Sequence, residues 1–427
     1  MRHPLAAKAA LIAALVLVLM IPVGMIRGLV AERQARSQEA IAGIAEGWGK
    51  RQTVASPYLV IPYERQWTVV RRETVDGKLR ETRSEQRELQ VLRLPASSVS
   101  WTVDTTLAEK ARGIYKARLY SAHITASGTV DVPARASAED GTSRYRWYNP
   151  KLVVGVSDPL GIRAAKAVTL GGKEHPFRPD PEGLHAVMEG AVFMAREVLP
   201  FSFTLELAGS EALALAPLGA DTVVAMRADW PHPSFQGRFL PATHDIGPSG
   251  FTAAWRVSRF AAQGAKAEAI AVSFIEPVGL YQMLERASKY GFLFIGLTAA
   301  AFILLELLRR LAIHPIQYAL VGLALAMFFL LLTALSEHLG FGAAYAIATC
   351  ACVALVTAYL LRIGKAVALF FGSSLTALYA VLYALLQSED YALLGGSLLL
   401  FSLLAAVMLG TRRVDWYGLT APATRSG

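Results

Sequence analysis

Cysteine is almost absent from the chain. Cys350 and Cys352 are the only two, and both lie inside an apolar run near the C-terminus. The long polar stretch before them therefore holds neither a disulfide nor a thiolate metal site. Core burial must stabilise it instead, which about 250 residues can supply. Two positions apart on a helix, the thiols point in different directions and read as small packing residues. Charge is scarce as well. Charged residues make up 18% of the chain against 54% hydrophobic, and the mean hydropathy is +0.39. Such values exclude an ordinary soluble chain of 427 residues and point to a membrane protein. There is no solenoid repeat and no low-complexity tract. Common enzyme signatures are missing too: no G-x-S-x-G elbow and no H-E-x-x-H. Ala167 stands where a phosphate loop ending at Gly172-Lys173 would need its first glycine, so Gly171-Gly172-Lys173 reads as a turn. His123, His175, His185, His232 and His244 have no close metal-ligand spacing. No catalytic activity, metal or cofactor is expected.

The apolar residues are concentrated at the two ends. A bilayer core about 30 Å thick needs roughly 20 apolar helical residues, because each backbone group must be paired inside the segment. Six runs meet that demand: Ala9 to Ile26, Tyr290 to Leu308, Pro315 to Leu335, Phe341 to Leu361, Ala366 to Leu386 and Tyr391 to Gly410. The first is longer than a signal-peptide core, and Arg27 follows it without a small-x-small cleavage site, so it reads as a retained anchor. Positive residues mark cytoplasmic loops. With the N-terminus inside, Arg2 and Lys8, Arg309 and Arg310, Arg362 and Lys365, and Arg412 and Arg413 all fall on that side. The opposite loops carry Glu337 with His338, and Glu389 with Asp390. Expected organisation is a cytoplasmic N-terminus (1–8), an anchor (9–30), a periplasmic β-rich domain with an N-terminal helix (31–289), five further transmembrane helices (290–410) and a cytoplasmic tail (411–427).

The net charge of +9 is largely these topology signals, and the basic stretch Arg71 to Arg93 is interleaved with Glu73, Asp76, Glu81, Glu85 and Glu88. That is a mixed-charge surface, which excludes a nucleic-acid partner. Ala31 to Lys50 reads as an amphipathic helix stopped by Gly47 and Gly49. From Tyr58 the period changes to two. Trp67 to Arg72 and Lys78 to Leu94 flank Asp76-Gly77, a hairpin-turn dipeptide. Further strands are expected at Ile114 to Tyr120, His123 to Val130, Leu152 to Val156, Phe201 to Leu207, Thr222 to Met226, Phe251 to Val257 and Ala269 to Phe274. Many short strands favour a large antiparallel two-sheet sandwich with one or two short helices. The segment PVGLYQMLERASK reads as a juxtamembrane helix.

Several long strings resemble the CreD family of inner-membrane proteins. They are RSQEAIAGIAEGWGKRQTVASPYLVIPY (Arg36 to Tyr63), GVSDPLGI (Gly155 to Ile162), ADWPHPSFQGRFLP (Ala228 to Pro241), RASKYGFLFIGLT (Arg286 to Thr298) and SEHLGFGAAY (Ser336 to Tyr345). One departure is Ala55-Ser56-Pro57, where the family usually has glycine before proline. The resemblance implies a role in cell-envelope integrity in Gram-negative bacteria, production linked to a two-component regulator, and altered tolerance to colicins and β-lactams. It implies no catalytic mechanism.

Two constellations are candidates for function. Trp230, His232 and Phe235 lie on a loop stiffened by Pro231 and Pro233. Rings on such a loop suit recognition of sugar or peptide, or plug one end of the sandwich. Glu337 and His338 end a span, where ionisable groups tend to face a cavity or a partner, or simply keep a short loop in water. Glu306 is expected to pair with Arg309 or Arg310, and Gly372, Ser373, Ser374, Gly395, Gly396 and Ser397 to permit close helix approach. Three functions stay open. The first is a non-enzymatic envelope protein whose outer domain binds another envelope protein or an envelope glycan. The second is a transporter or lipid-handling bundle gated by that domain, and the third is an envelope hydrolase or sugar-processing enzyme. The bilayer itself is a partner in each case.

Overall fold

The computed structural model describes residues 4–75, 78–134, 139–181, 183–191, 193, 195–218, 220–262, 270–274, 279–309, 314–362, 364–387 and 392–412. The chain divides into two compact units. One comprises Met1–Gln38 with Val278–Gly427, and the other Glu39–Pro277. The division falls inside helix α1 (Pro4–Trp48), which is continuous and ends just before Gly49 at a φ of 140°. That is the stop expected from Gly47 and Gly49.

The unit Glu39–Pro277 is β-rich, with three sheets rather than the expected two. The largest is nine-stranded. Its main path runs β10 (Lys173–His175), β9 (Val168–Leu170), β13 (Glu197–Ser210), β5 (Tyr115–Val132), β4 (Ser98–Arg112), β15 (Asp221–Ala228), β18 (Gly250–Val257) and β17 (Thr243–Gly247), with β8 (Ile162–Ala165) also on β13. A six-stranded sheet runs β11 (Arg178–Asp180), β12 (Gly183–Val187), β7 (Lys151–Gly155), β2 (Tyr58–Val75) and β3 (Lys78–Pro95), with β6 (Arg144–Trp147) also on β2. The third, of four strands, is β1 (Gln52–Ala55), β14 (Ala212–Ala216), β19 (Ile270–Ser273) and β16 (Ser234–Gln236). A short helix, α2, spans Arg259–Ala262.

The antiparallel sandwich expectation is corrected in two further respects. β1 pairs parallel with β14, and β15 parallel with β4. The expected strands 114–120 and 123–130 are one strand, β5, paired along its length with β4, which belongs to none of the expected segments. Alternation does locate β13: Phe201, Phe203, Leu205 and Leu207 are buried while Ser202 and Glu206 are exposed. These side chains join Trp101, Trp255, Tyr120 and Ile124 in one continuous core. The Tyr120 hydroxyl donates to the Ala212 carbonyl at 2.9 Å, and burial raises its pKa well above the ordinary tyrosine value. Trp48, at the end of α1, donates through Nε1 to the Tyr120 carbonyl at 3.4 Å and lies beneath the Lys110 ammonium, 4.0 Å from its ring centre. Gly171 and Gly172 have φ of 58° and 80°, forming the turn between β9 and β10.

The other unit is helical. It contains the first part of α1 with α3 (Leu280–Arg309), α4 (Pro315–Leu339), α5 (Phe341–Leu360), α6 (Lys365–Gln387) and α7 (Ala392–Thr411). Among the described residues four helices are long and apolar enough to cross a membrane: α1, α4, α5 and α6. The expectation of six is corrected to that number. α3 carries Glu285, Arg286, Lys289 and Glu306, and both α3 and α7 contain positions, such as 304–305 and 399–400, whose side chains are not described. Arg310, Glu389, Asp390, Arg413 and the Asp76-Gly77 turn lie outside the described residues.

Local sequence accounts for the joints. His314 caps α4: its Nδ1 accepts from the Ile316 amide at 3.3 Å, its own amide donates to Gln317 at 3.2 Å, and Pro315 opens the helix. Gly340, at a φ of 77°, allows the immediate start of α5. A β-carbon on Gly372 would stand 2.5 Å from Thr357 Oγ1, so the glycine admits α5 against α6. Gly322 admits Leu19 of α1 in the same way. Phe328, Phe329, Tyr345 and Tyr379 form the aromatic centre of this unit. Cys352 is buried there while Cys350 is exposed.

Candidate functional site

Glu337 and His338 do not form a pair. Glu337 faces inward with its side chain 8% exposed, whereas His338 is exposed. Glu337 Oε1 accepts from the Tyr281 hydroxyl at 3.1 Å, and Oε2 lies 3.7 Å from Arg33 Nη1. One carboxylate therefore joins α1, α3 and α4. A carboxylate withdrawn from water needs such partners. Neither Arg33 nor Tyr281 carries a sequence motif; both come from segments far from Glu337, and only the helix packing brings them there.

Several other polar side chains of the helices are engaged locally, whereas Thr349 Oγ1 and Thr357 Oγ1 are buried without a hydrogen-bond partner. Thr333 donates to the Phe329 carbonyl at 2.8 Å, Thr376 to Gly372 at 2.8 Å, Ser373 to Phe370 at 3.0 Å and Ser397 to Leu394 at 2.8 Å. Glu306 accepts from the Tyr318 hydroxyl at 3.0 Å; the arginine side chains expected beside it are not among those described. These contacts satisfy polar groups on or between helices.

In the β-rich unit the loop residues divide. Trp230 Nε1 donates to the His232 carbonyl at 2.7 Å, and the Arg118 guanidinium stacks over the indole at 4.0 Å. The His232 side chain is exposed. Phe235 lies on β16, its ring 5.7 Å from both Phe251 and Trp255 and 5.5 Å from His244. Trp230 and Phe235 both pack on the core. A second aromatic group, Tyr63, Tyr145 and Trp147, is closed by its own loop: Trp147 donates to Glu139 at 3.0 Å, and Arg65 pairs with Asp140. Asp140 accepts from the Thr142 and Ser143 amides, which together with Arg65 hold its carboxyl well below the ordinary aspartate range.

One open surface of this unit is the outer face of the nine-stranded sheet. Its register aligns Glu206, His123, Asp104, Arg227, Thr252 and Asp245 in one row across β13, β5, β4, β15, β18 and β17. All six are exposed. The adjacent row is Thr204, Thr125, Thr102, Ala225, Ala254 and Thr243. Antiparallel sheets commonly leave one face to water, but here the second row is built of short side chains. They leave a groove of about 380 Å³ lined by Thr102, Asp104, Arg227, Thr243, His244 and Asp245, among others. Sequence reasoning did not find this groove. Its residues come from four strands, and no local spacing marks them.

With this geometry in place, comparison with known proteins is informative. Residues 4–417 match the family described as Inner membrane protein CreD. The chain is 32% identical over 447 aligned residues to Inner membrane protein CreD of Escherichia coli (strain K12), covering all of this chain and 97% of that one. The chain belongs to the CreD family. It is accordingly an inner-membrane protein of the cell envelope with several membrane helices. Among solved structures, one M1 zinc metallopeptidase of Deinococcus radiodurans aligns at 9% identity and a TM-score of 0.22 over 47% of this chain, which spans 54% of that protein's length. Another from the same organism aligns at 10% identity and a TM-score of 0.22 over 77% of this chain and 95% of its own. Likenesses at that level carry no argument about fold or function.

Proposed function

We propose that the chain supports envelope integrity as a non-enzymatic binding protein. Its β-rich unit is periplasmic and engages an envelope component, while the apolar helices α1, α4, α5 and α6 hold it in the membrane with both termini cytoplasmic. The observation that carries the binding role is the open face of the nine-stranded sheet. Asp104, Arg227 and Asp245 stand exposed there around a groove, on a sheet whose opposite face supplies the core. A sheet that needed only to fold would gain from long side chains covering that surface or from ion pairs within the row. The Arg and Lys residues flanking the helices support that orientation.

Complementation of a deletion strain tests the role, scoring β-lactam and detergent sensitivity at matched membrane levels. The expected outcome is that Asp104→Ala with Arg227→Ala fails to restore tolerance while Ser202→Ala, on the same face away from the groove, restores it fully. Full complementation by the double variant would remove the face from the account.

A further inference from the structure

We infer that the groove receives a short zwitterionic peptide, its carboxylate on Arg227 and its ammonium on Asp104 or Asp245; this rests on the reading of that face as the binding surface. Among the described residues no ion pair engages Arg227, Asp104 or Asp245, although they share one row of the sheet. A guanidinium is the preferred partner of a carboxylate because its planar fork donates two parallel hydrogen bonds. The carboxylates on either side are acceptors only and suit an ammonium.

Spacing narrows the ligand further. Neighbouring strands lie about 4.8 Å apart, so Asp104, one strand from Arg227, and Asp245, two strands away, are rooted roughly 5 and 10 Å from Arg227 along the row. An extended peptide spans about 3.3–3.6 Å per residue. The termini of a dipeptide or tripeptide match those separations. Thr102, Thr243 and Thr252 supply hydroxyls that both donate and accept beside the intervening amides. Among the described residues no Trp, Tyr or Phe lines the groove and His244 is its one ring, which leaves little surface on which a sugar ring would stack. The chemistry therefore favours peptide over glycan.

Calorimetric titration of the full-length protein in detergent tests this with four probes: trialanine, N-acetyl-trialanine, trialanine amide and chitotriose. Trialanine is expected to bind, and blocking either terminus to weaken binding at least tenfold. Arg227→Gln should abolish the discrimination against the amide, and Asp104→Asn with Asp245→Asn the discrimination against the acetylated form, each at unchanged Tm. Equal affinity for blocked and unblocked peptides, or no binding of trialanine, overturns the inference. Chitotriose binding that the double Asn variant abolishes would also overturn the ligand class while leaving the face as the binding surface. If no probe binds and the face variants complement, both readings fall together.

Discussion

A β-carbon on Gly128 would meet the Ser98 carbonyl oxygen and stand 2.8 Å from Cζ of Phe201. The glycine lies on β5 between Val99 of β4 and Phe201 of β13. Neither neighbour can retreat: one contact is backbone in a paired strand, and the Phe201 ring is held in the core. Gly128→Ala is therefore expected to destabilise the β-rich unit by about 1–3 kcal/mol, the usual range for overpacking. Ser127→Ala, one position away on the exposed face, should change stability by less than about 0.5 kcal/mol. Thermal unfolding of the two variants beside wild type checks this. Equal Tm values would show that the sheet accommodates the methyl group.

At the scale of elements, α1, α3 and α4 share one carboxylate. Because Tyr281 and Arg33 both bond Glu337, removing either the hydroxyl or the carboxylate breaks the same contact, and residues in one network do not add. Tyr281→Phe and Glu337→Ala should each lower the Tm of the solubilised protein, and the double variant should lower it by less than their sum. Strict additivity would deny the bond. These elements also show what was readable from sequence. Alternation identifies β13, because one of its faces is wet, and the composition identifies the helices. By contrast β14, Ala212–Ala216, is buried at every position, so it has no period to detect. The parallel pairings of β1 and β4 depend on partners more than 100 positions away. The same reason hides the groove. Asp104 in VSWTVDTT and Arg227 in VVAMRA are each an unremarkable exposed position in a strand, and their proximity exists only once the register is known. Trp230 and Phe235 were noticeable because their peculiarity is local; so is the explanation of Phe235, a ring among rings.

For the molecule as a whole, orientation is the first quantity to measure. Single cysteines placed at positions 2 and 425 of a cysteine-free variant are expected to resist a membrane-impermeant maleimide in intact spheroplasts, while one at 206, on the exposed face, reacts. Reaction at either terminus would overturn the proposed topology. The order of the chain sets a further condition on how this molecule comes into being. β1 leads the β-rich unit, yet its partner is β14, with Gln52 opposite Leu213 and a separation of roughly 160 residues. β14 in turn is completed by β19, Ile270–Ser273. At synthesis rates of about 5–20 residues per second, β1 waits roughly 8–30 seconds for its neighbour. Val54, wholly buried in the finished protein, meets its bridge partner Val156 partway through that interval but lacks β14 until the end of it. The first strand made is thus among the last to be secured, and a truncation anywhere before Ser273 leaves an unpaired edge for proteases and chaperones to find.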